Sequence, residues 1–105
     1  MEFINLTPHP ITIEGVGTLP PSGVIARCST LRTPAPEVGG IRVTTQDLGD
    51  VTGIPSPEEG KGYIVSGMVL QALNRARGDV FAPDTGADAV RDEKGHIVAV
   101  RGLVR

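Results

Sequence analysis

The stretch YIVSGMVLQALNRARGDVFAP, residues 63–83, contains the only segment in which apolar residues recur with the period of a helix. The recurrence runs from Val65 to Ala76 at spacings of four, seven, eight and eleven residues, which places its members on one helical face. Ser66 is a suitable N-cap, and Gly78 suits the C-terminal stop. The elements predicted here are a strand at residues 63–66, a helix at 67–76 and a strand at 79–83.

Strand-like alternation of apolar and polar residues is found on both sides of this stretch. Segments rich in proline and glycine separate the strands and are typical of turns and loops. The final run, Ile97–Val104, is apolar on both faces, which favours a central strand of a sheet. The predicted strands are residues 2–7, 10–14, 24–28 and 41–45, with a hairpin over 89–105 that turns at Asp92–Gly95, and the predicted loops are residues 33–40 and 53–62.

These elements predict the fold class and the domain organisation. The expected fold is α+β, a small, mostly antiparallel β-sheet or a partly closed barrel with one α-helix. A chain of 105 residues suits one domain, and neither a repeat nor a boundary divides residues 1–105. Because only three residues are aromatic, the core is expected to be aliphatic.

A histidine stands between two prolines in the segment INLTPHPI, residues 4–11. A residue that precedes proline is pushed towards extended backbone, and proline has no N–H for a sheet ladder. The apolar residues change parity across Thr7–Pro10, which predicts a bulge or a tight bend there. Two interpretations stay open: an edge strand guarded against aggregation, or a rigid mount that presents Asn5, Thr7 and His9 to a ligand.

Composition and charge argue against several classes of protein. The net charge is −2 and no dense basic stripe occurs, so binding of a long nucleic acid is not expected. Cys28 is the only cysteine, so neither an internal disulfide nor a multi-cysteine metal site is expected. Because no signal peptide and no apolar run of about 20 residues are visible, we expect no membrane association and a cytoplasmic location.

The triplet Asp84–Gly86 resembles the Asp-Thr-Gly turn of aspartic proteases. Pro83 precedes it where that family has an apolar strand, and only 19 residues follow it, so an ordinary turn is favoured. His9 and His96 have no spacing typical of a metal site, and Cys28 is expected to pack in the core rather than to act as a nucleophile. We therefore predict no catalytic residue, no metal site and no cofactor.

Polar side chains lie at the ends of several predicted elements. Ser66 stands where a strand enters a helix, a place where free N–H groups attract anions. Arginine recognises phosphate through paired hydrogen bonds. Each residue alone is explained as a cap, a turn or a solvated charge, and the hypothesis is that together they line one cleft for a small anion. The predicted ligand-binding residues are Asn5, Thr7, His9, Arg27, Ser66, Arg77, Arg91 and Asp92.

Five pieces of sequence together span nearly the whole chain. They are NLTPH at residues 5–9, PPSG with the following AR at 20–27, GIPSPEEGKGYIVS at 53–66, ARGDVFAP at 76–83 and VRDEKGHIVAVR at 90–101. In this order they resemble a family of short proteins common in tailed-phage genomes and actinobacterial prophages. The second proline of TPHP and the longer LQALNRARGD segment depart from the family pattern. The resemblance implies a phage or prophage origin and action in the cytoplasm of a bacterial host, but no reaction.

Two hypotheses about function follow from these observations. The first is a small phage-type accessory protein, of anti-defence character, that binds and sequesters a small anionic nucleotide-like ligand without catalysis. It predicts a pocket that holds arginine together with His9. The alternative is an accessory protein that docks on a host protein or on the virion and has no small ligand, which predicts an exposed apolar patch. A homo-oligomer is expected, and an enzyme ranks third.

Overall fold

The computed structural model describes all 105 residues, which form ten strands and one helix. The helix lies between the sixth and seventh strands in the chain. The elements are β1 (Glu2–Asn5), β2 (Ile11–Ile13), β3 (Gly17–Leu19), β4 (Arg27–Val38), β5 (Ile41–Thr52), β6 (Lys61–Ile64), α1 (Gly67–Leu73), β7 (Val80–Pro83), β8 (Val90–Arg91), β9 (Ile97–Ala99) and β10 (Leu103–Val104).

The central sheet has the strand order β1-β6-β7-β10. β1, β6 and β7 run parallel, β10 is antiparallel to β7, and α1 connects β6 to β7 as the helix of a βαβ unit. The other strands form three antiparallel hairpins, so four of the six strand pairings are antiparallel. The prediction of a small α+β fold with one helix is confirmed. No closed barrel forms, because β1 and β10 remain edge strands of the sheet.

The central sheet is covered on both faces, since consecutive residues of a strand point to opposite sides. Tyr63 and Val65 pack against Val69 of α1 in one core cluster. Ile64, between them in the chain, belongs to a second cluster that contains Ile13 of β2. Tyr63 is the only buried aromatic side chain, so the prediction of an aliphatic core is confirmed.

α1 begins where the sequence predicts and ends earlier. The Oγ of Ser66 accepts a hydrogen bond from the backbone N–H three residues later at 3.3 Å, which is the predicted N-cap. The helix stops at Leu73, because Asn74 and Arg75 have left-handed backbone with φ of 49° and 62°. Asparagine enters this region more easily than most residues, so it takes the place expected of Gly78. No helix of the structure has the length and hydrophobicity that crossing a membrane requires.

β4 and β5 form a two-stranded ribbon, called the arm (Arg27–Thr52), and the rest of the chain is called the body. The predicted loop over residues 33–40 is wrong, since these residues form half of β4 and a tight turn at Gly39–Gly40. Pro34 and Pro36 do not break the ribbon. They are two residues apart, so both turn the side that lacks an N–H towards the same edge, and a two-stranded ribbon has an open edge where no ladder bond is lost.

The last apolar run is divided between two sheets, so the prediction of one central strand is wrong. β9 pairs with β8, Val100 then bridges to Ile13 of β2, and β10 lies at the edge of the central sheet. Val100 and Leu103 pack in the second core cluster, whereas Ile97, Val98 and Val104 are exposed. The predicted strand over residues 24–28 begins only at Arg27. The hairpin turn at Asp92–Gly95 and the bend at Thr7–Pro10 are confirmed.

Candidate functional site

Asn5, at the end of β1, uses the whole hydrogen-bonding capacity of its side chain within the chain and is 2% exposed. Its Nδ2 donates to the carbonyl oxygens of His9 at 2.8 Å and Leu19 at 3.0 Å. Its Oδ1 accepts from the backbone N–H of Thr7 at 2.9 Å and from the Thr7 hydroxyl at 2.7 Å. An amide side chain has two N–H donors and one oxygen with two lone pairs, all of which are used here. Asn5 therefore ties β1 to the following bend and to β3.

The other two residues of the NLTPH segment differ from each other in exposure. Thr7 is buried, and its hydroxyl is already bonded to Asn5. His9 is exposed, and the hydrogen-bond network uses its backbone oxygen rather than its imidazole. The segment thus has a structural role that accounts for the asparagine and the threonine. Only the imidazole of His9 is left free to contact a ligand.

A surface depression of about 270 Å³ brings together three of the predicted residues, Thr7, Arg27 and Ser66. Arg27 is the only charged residue of its wall, and most of the remaining wall is apolar. The Ser66 hydroxyl is occupied as the N-cap of α1. Cys28, a half-buried free thiol, also lines the depression and packs against the core as expected. The depression therefore offers a ligand one guanidinium above an apolar floor.

Arg91 and Asp92 lie at the β8–β9 turn, away from that depression. Asp92 Oδ1 accepts from the backbone N–H groups of Lys94 and His96, both at 2.9 Å. Arg91 Nη1 donates to the Gly95 carbonyl oxygen at 2.9 Å. These contacts shape the hairpin turn, so both residues have a local structural role.

Arg77 lines a third place, a pocket of about 430 Å³ beside the C-terminal end of α1. The pocket also contains Arg75, which the sequence places beside Arg77 at the end of the helix without selecting it as a ligand-binding residue, and Arg105, which the sequence did not indicate. No short sequence pattern indicates that these arginines lie together, because β7 to β10 separate position 75 from position 105 in the chain. The eight predicted residues are thus distributed over the NLTPH bend, the depression beside α1, this pocket and the β8–β9 turn, and His9 does not line the arginine pocket.

Three groups have shifted pKa values, and all three belong to ion pairs. The hydrogen bond from Arg77 lowers the pKa of Asp79, although partial burial acts in the opposite direction, and the same bond raises the pKa of Arg77. A hydrogen bond to Glu58 raises the pKa of Lys61. Each shift favours the charged form, which is typical of structural ion pairs. A general acid or base has its pKa moved towards neutrality instead.

The protease-like triplet forms a local turn, in which Asp84 Oδ1 accepts from the backbone N–H of Gly86 at 3.0 Å. This is the ordinary turn that the sequence favoured. The structure contains no group of three or more histidine, cysteine, aspartate or glutamate side chains arranged to hold a metal ion.

The arm has two chemically different faces. Cross-strand partners share a face, and the faces alternate along each strand where the register is regular, from Thr30 to Ala35 and from Leu48 to Val43. A register shift between Ala35 and Val38 leaves Pro36 and Glu37 without a partner, and Val38 is assigned through its partner Ile41, which lies two residues from Val43 on β5. One face, called the apolar arm face, carries no arginine or lysine, and its four large aliphatic side chains are 37–70% exposed. It consists of Leu31, Thr33, Ala35, Val38, Ile41, Val43 and Thr45, with Asp47 at its inner end.

The opposite face of the arm is polar beyond the half-buried Leu48 at its inner end, which lies beside Thr30. It carries Arg32 beside Gln46 and Pro34 beside Thr44, with Arg42 towards the tip. Such segregation of aliphatic and charged side chains is typical of an antiparallel sheet that has one face packed against another surface and the other face in water. Nothing in the chain itself covers the apolar arm face.

Comparisons with known proteins give no relative: no protein-family model, no curated protein and no solved structure matches the chain significantly.

Proposed function

We propose that this chain is a non-enzymatic accessory protein that acts by docking through its arm, and that the occupant of the apolar arm face is a second copy of the chain. The observation that carries the proposal is the exposure of Leu31, Val38, Ile41 and Val43 on one face of the ribbon. The alternative drawn from the sequence, a docking protein, predicts such a patch. The expected setting, the cytoplasm of a bacterial host, rests on the phage-family resemblance.

The size of the patch supports an interaction. Two strands about 4.8 Å apart with a rise of about 3.3 Å per residue give the apolar arm face roughly 300 Å². The largest apolar patch of a typical soluble monomer has this size, about 300–600 Å², and is often functional. A two-stranded ribbon is also marginally stable in water unless its apolar face packs against something. Covering this face would therefore both bury aliphatic surface and stabilise the arm.

The charge pattern favours a second copy over a charged partner. A twofold axis packs the same patch of each copy against itself, so a patch whose charges all have one sign brings like charges together. The register places no charge other than Asp47 on the apolar arm face, whereas the opposite face would bring Arg32 and Arg42 of both copies together. Two such faces can stack about 10 Å apart, as in a sandwich. Roughly 300 Å² on each copy is well below the roughly 800 Å² per partner of a stable complex, so the dimer is expected to be weak and to dissociate on dilution.

Sedimentation over a wide range of protein concentration tests this proposal. Ile41→Lys places a charge at the outer end of the apolar arm face, and Thr44→Lys places the same charge on the opposite face as a matched control. We expect the wild type and Thr44→Lys to form a dimer at high concentration and Ile41→Lys to remain monomeric. If the wild type stayed monomeric at every concentration, the proposal that a second copy covers the apolar arm face would be wrong. Equal dimerisation of all three proteins would show that the apolar arm face is not the dimer interface.

Sequestration of a small nucleotide-like anion is the second candidate function. Its support is the pocket that contains Arg75, Arg77 and Arg105, rather than a cleft formed by all eight residues selected from the sequence. An enzyme ranks below both, because the shifted pKa values belong to ion pairs that hold the fold.

A further inference from the structure

A groove runs along the C-terminal half of α1, between the helix and the last residue of the chain. Its deeper part is the 430 Å³ pocket, lined by Leu70, Leu73, Arg75, Arg77, Gly78 and Arg105. A shallower part of about 280 Å³ shares Leu70, Arg75 and Arg105 with it and continues to Gln71 and Asn74. The combined volume lies in the range of small-molecule sites.

The guanidinium of Arg77 is fixed before any ligand arrives. Its Nε and Nη2 donate to the two carboxylate oxygens of Asp79 at 3.0 and 2.7 Å, and its Nη1 donates to the Pro55 carbonyl oxygen at 2.8 Å. It also lies 5.7 Å from the centre of the Tyr63 ring. Of the five N–H donors of an arginine, three are used, so two remain. An immobilised donor loses little entropy when it binds.

Arg105 is held in a similar way, and Arg75 is not held at all. Arg105 Nη1 donates to the Gly78 carbonyl oxygen at 3.0 Å, and its guanidinium lies 5.5 Å from the centre of the Phe81 ring. Arg75 makes no side-chain hydrogen bond or ion pair, and its left-handed backbone follows directly on the helix C-cap. Two anchored guanidinium groups and one without a hydrogen-bond partner therefore border the same pocket.

The charge of the pocket selects the ligand chemistry. Three arginine side chains line it, and Asp79, which does not line it, forms an ion pair with one of them, Arg77. No acidic side chain lines either part of the groove. Guanidinium groups bind phosphate through paired, charge-assisted hydrogen bonds. Leu70 and Leu73 offer apolar contact, and Gln71 and Asn74 offer uncharged polar contact.

We infer that this arginine-lined groove is a binding site for a small phosphorylated molecule. The phosphate lies among Arg75, Arg77 and Arg105, and an uncharged body that is part apolar and part polar extends along α1 towards Gln71 and Asn74. The site is separate from the apolar arm face, so it stands or falls independently of the docking function.

The competing explanation is that the arginines only complement the partial negative charge at the C-terminal end of α1. The two explanations differ in what they predict for a soluble anion. Helix complementation leaves no requirement for a ligand, whereas the proposed site binds phosphate and depends on Arg75, which has no role in the fold's hydrogen bonds.

Isothermal titration calorimetry at low salt tests the site with three probes: inorganic phosphate, adenosine monophosphate and adenosine. Arg75→Ala and Arg105→Ala each remove one guanidinium from the groove. Arg42→Ala removes an exposed arginine from the polar face of the arm and is the matched control. Circular dichroism of each variant verifies that the chain is folded.

We expect the wild type and Arg42→Ala to bind inorganic phosphate and to bind adenosine monophosphate more tightly, with no heat from adenosine. Binding should weaken at least tenfold in Arg75→Ala and in Arg105→Ala. The absence of binding to either phosphate compound would overturn the inference. It would also be overturned if Arg42→Ala lost as much affinity as the groove variants, because the binding would then be a nonspecific effect of net charge.

Discussion

The body and the arm are built from the same kinds of hydrogen bond but differ in burial. Every buried residue of the protein lies in the body, while none lies between positions 27 and 52. Only the base of the arm, at Cys28 and Val51, packs against the core. The radius of gyration is 16.2 Å, against about 13 Å for a compact chain of this length. Aliphatic burial thus stabilises the body, whereas the arm is defined by its ladder and turn alone.

The difference teaches how to interpret exposed aliphatic residues in this chain. A leucine in the body and a leucine in the arm have the same chemistry, but only the first contributes to the free energy of unfolding of the monomer. The second has an effect only when another surface covers it. The following substitutions compare matched positions in the two regions.

The largest difference is expected between Leu6→Ala and Leu31→Ala. Leu6 is 1% exposed within the first core cluster, and its truncation leaves a cavity, which lowers the free energy of unfolding by about 3 kcal/mol. Leu31 is 64% exposed, so its truncation changes that free energy by less than about 0.5 kcal/mol. Urea unfolding of dilute protein measures both. Comparable losses would mean that the arm is packed in the free chain and that the two regions do not differ as described.

The NLTPH bend gives a second comparison, this time between two side chains of one segment. Asn5→Ala leaves the Thr7 N–H and the Leu19 carbonyl without their partner, while the Thr7 hydroxyl and the His9 carbonyl keep only their hydrogen bond to each other, and we expect a loss of about 2–3 kcal/mol. His9→Ala should change stability by less than about 0.5 kcal/mol, because only backbone atoms of His9 are used. Thermal unfolding of both variants provides the measurement. A large loss for His9→Ala would show that its imidazole has a structural role.

The smallest difference in stability is expected for two glycines, one where the arm joins the body and one at the tip of the arm. Gly53 has φ of 89° and lies so close to the Ile25 carbonyl oxygen that a Cβ would overlap with it. Gly40, at the tip of the arm, has φ of 78° but open space around it. Both substitutions to alanine strain the backbone by about 1 kcal/mol, and overlap at Gly53 brings its loss to about 2 kcal/mol.

Chemical denaturation measures this pair as well. A Gly53→Ala variant no less stable than Gly40→Ala would contradict the close approach of the chain at the base of the arm. The arm would then be joined to the body more loosely than the structure has it.

Local signals in the sequence predicted part of this fold. The N-cap at Ser66, the turn at Asp92–Gly95 and the bend at Thr7–Pro10 depend on residues a few positions apart, and all three are confirmed. The predicted end of α1 was wrong because Asn74 adopts the left-handed backbone and ends the helix before Gly78, the residue expected to end it. The outer half of β4 was predicted as a loop because it contains Pro34 and Pro36. Prolines are compatible with a strand when they lie at an open edge, and the sequence alone does not show which edge is open.

The long-range features were beyond such signals. The parallel pairing of β1 with β6 joins segments that no short pattern relates. The same holds for the groove, where Arg77 was selected as a residue at the end of a helix but Arg75 and Arg105 gain significance only by convergence. Asn5 and Thr7 were selected because their residue types suit a ligand, and the same polarity serves to hold a buried bend.

The register of the arm has a consequence for the kinetics of folding. Glu2 and Lys61, which pair in the central sheet, are 59 positions apart, and closing so long a loop costs entropy that grows with the logarithm of its length. The arm pairs Arg27 with Thr52 through a local turn, so an early hairpin removes 25 positions from that loop. This shortening lowers the closure cost by about 0.5 kcal/mol. We therefore expect the region that contributes least to the core to form first, and substitutions at its turn to slow folding more than they accelerate unfolding.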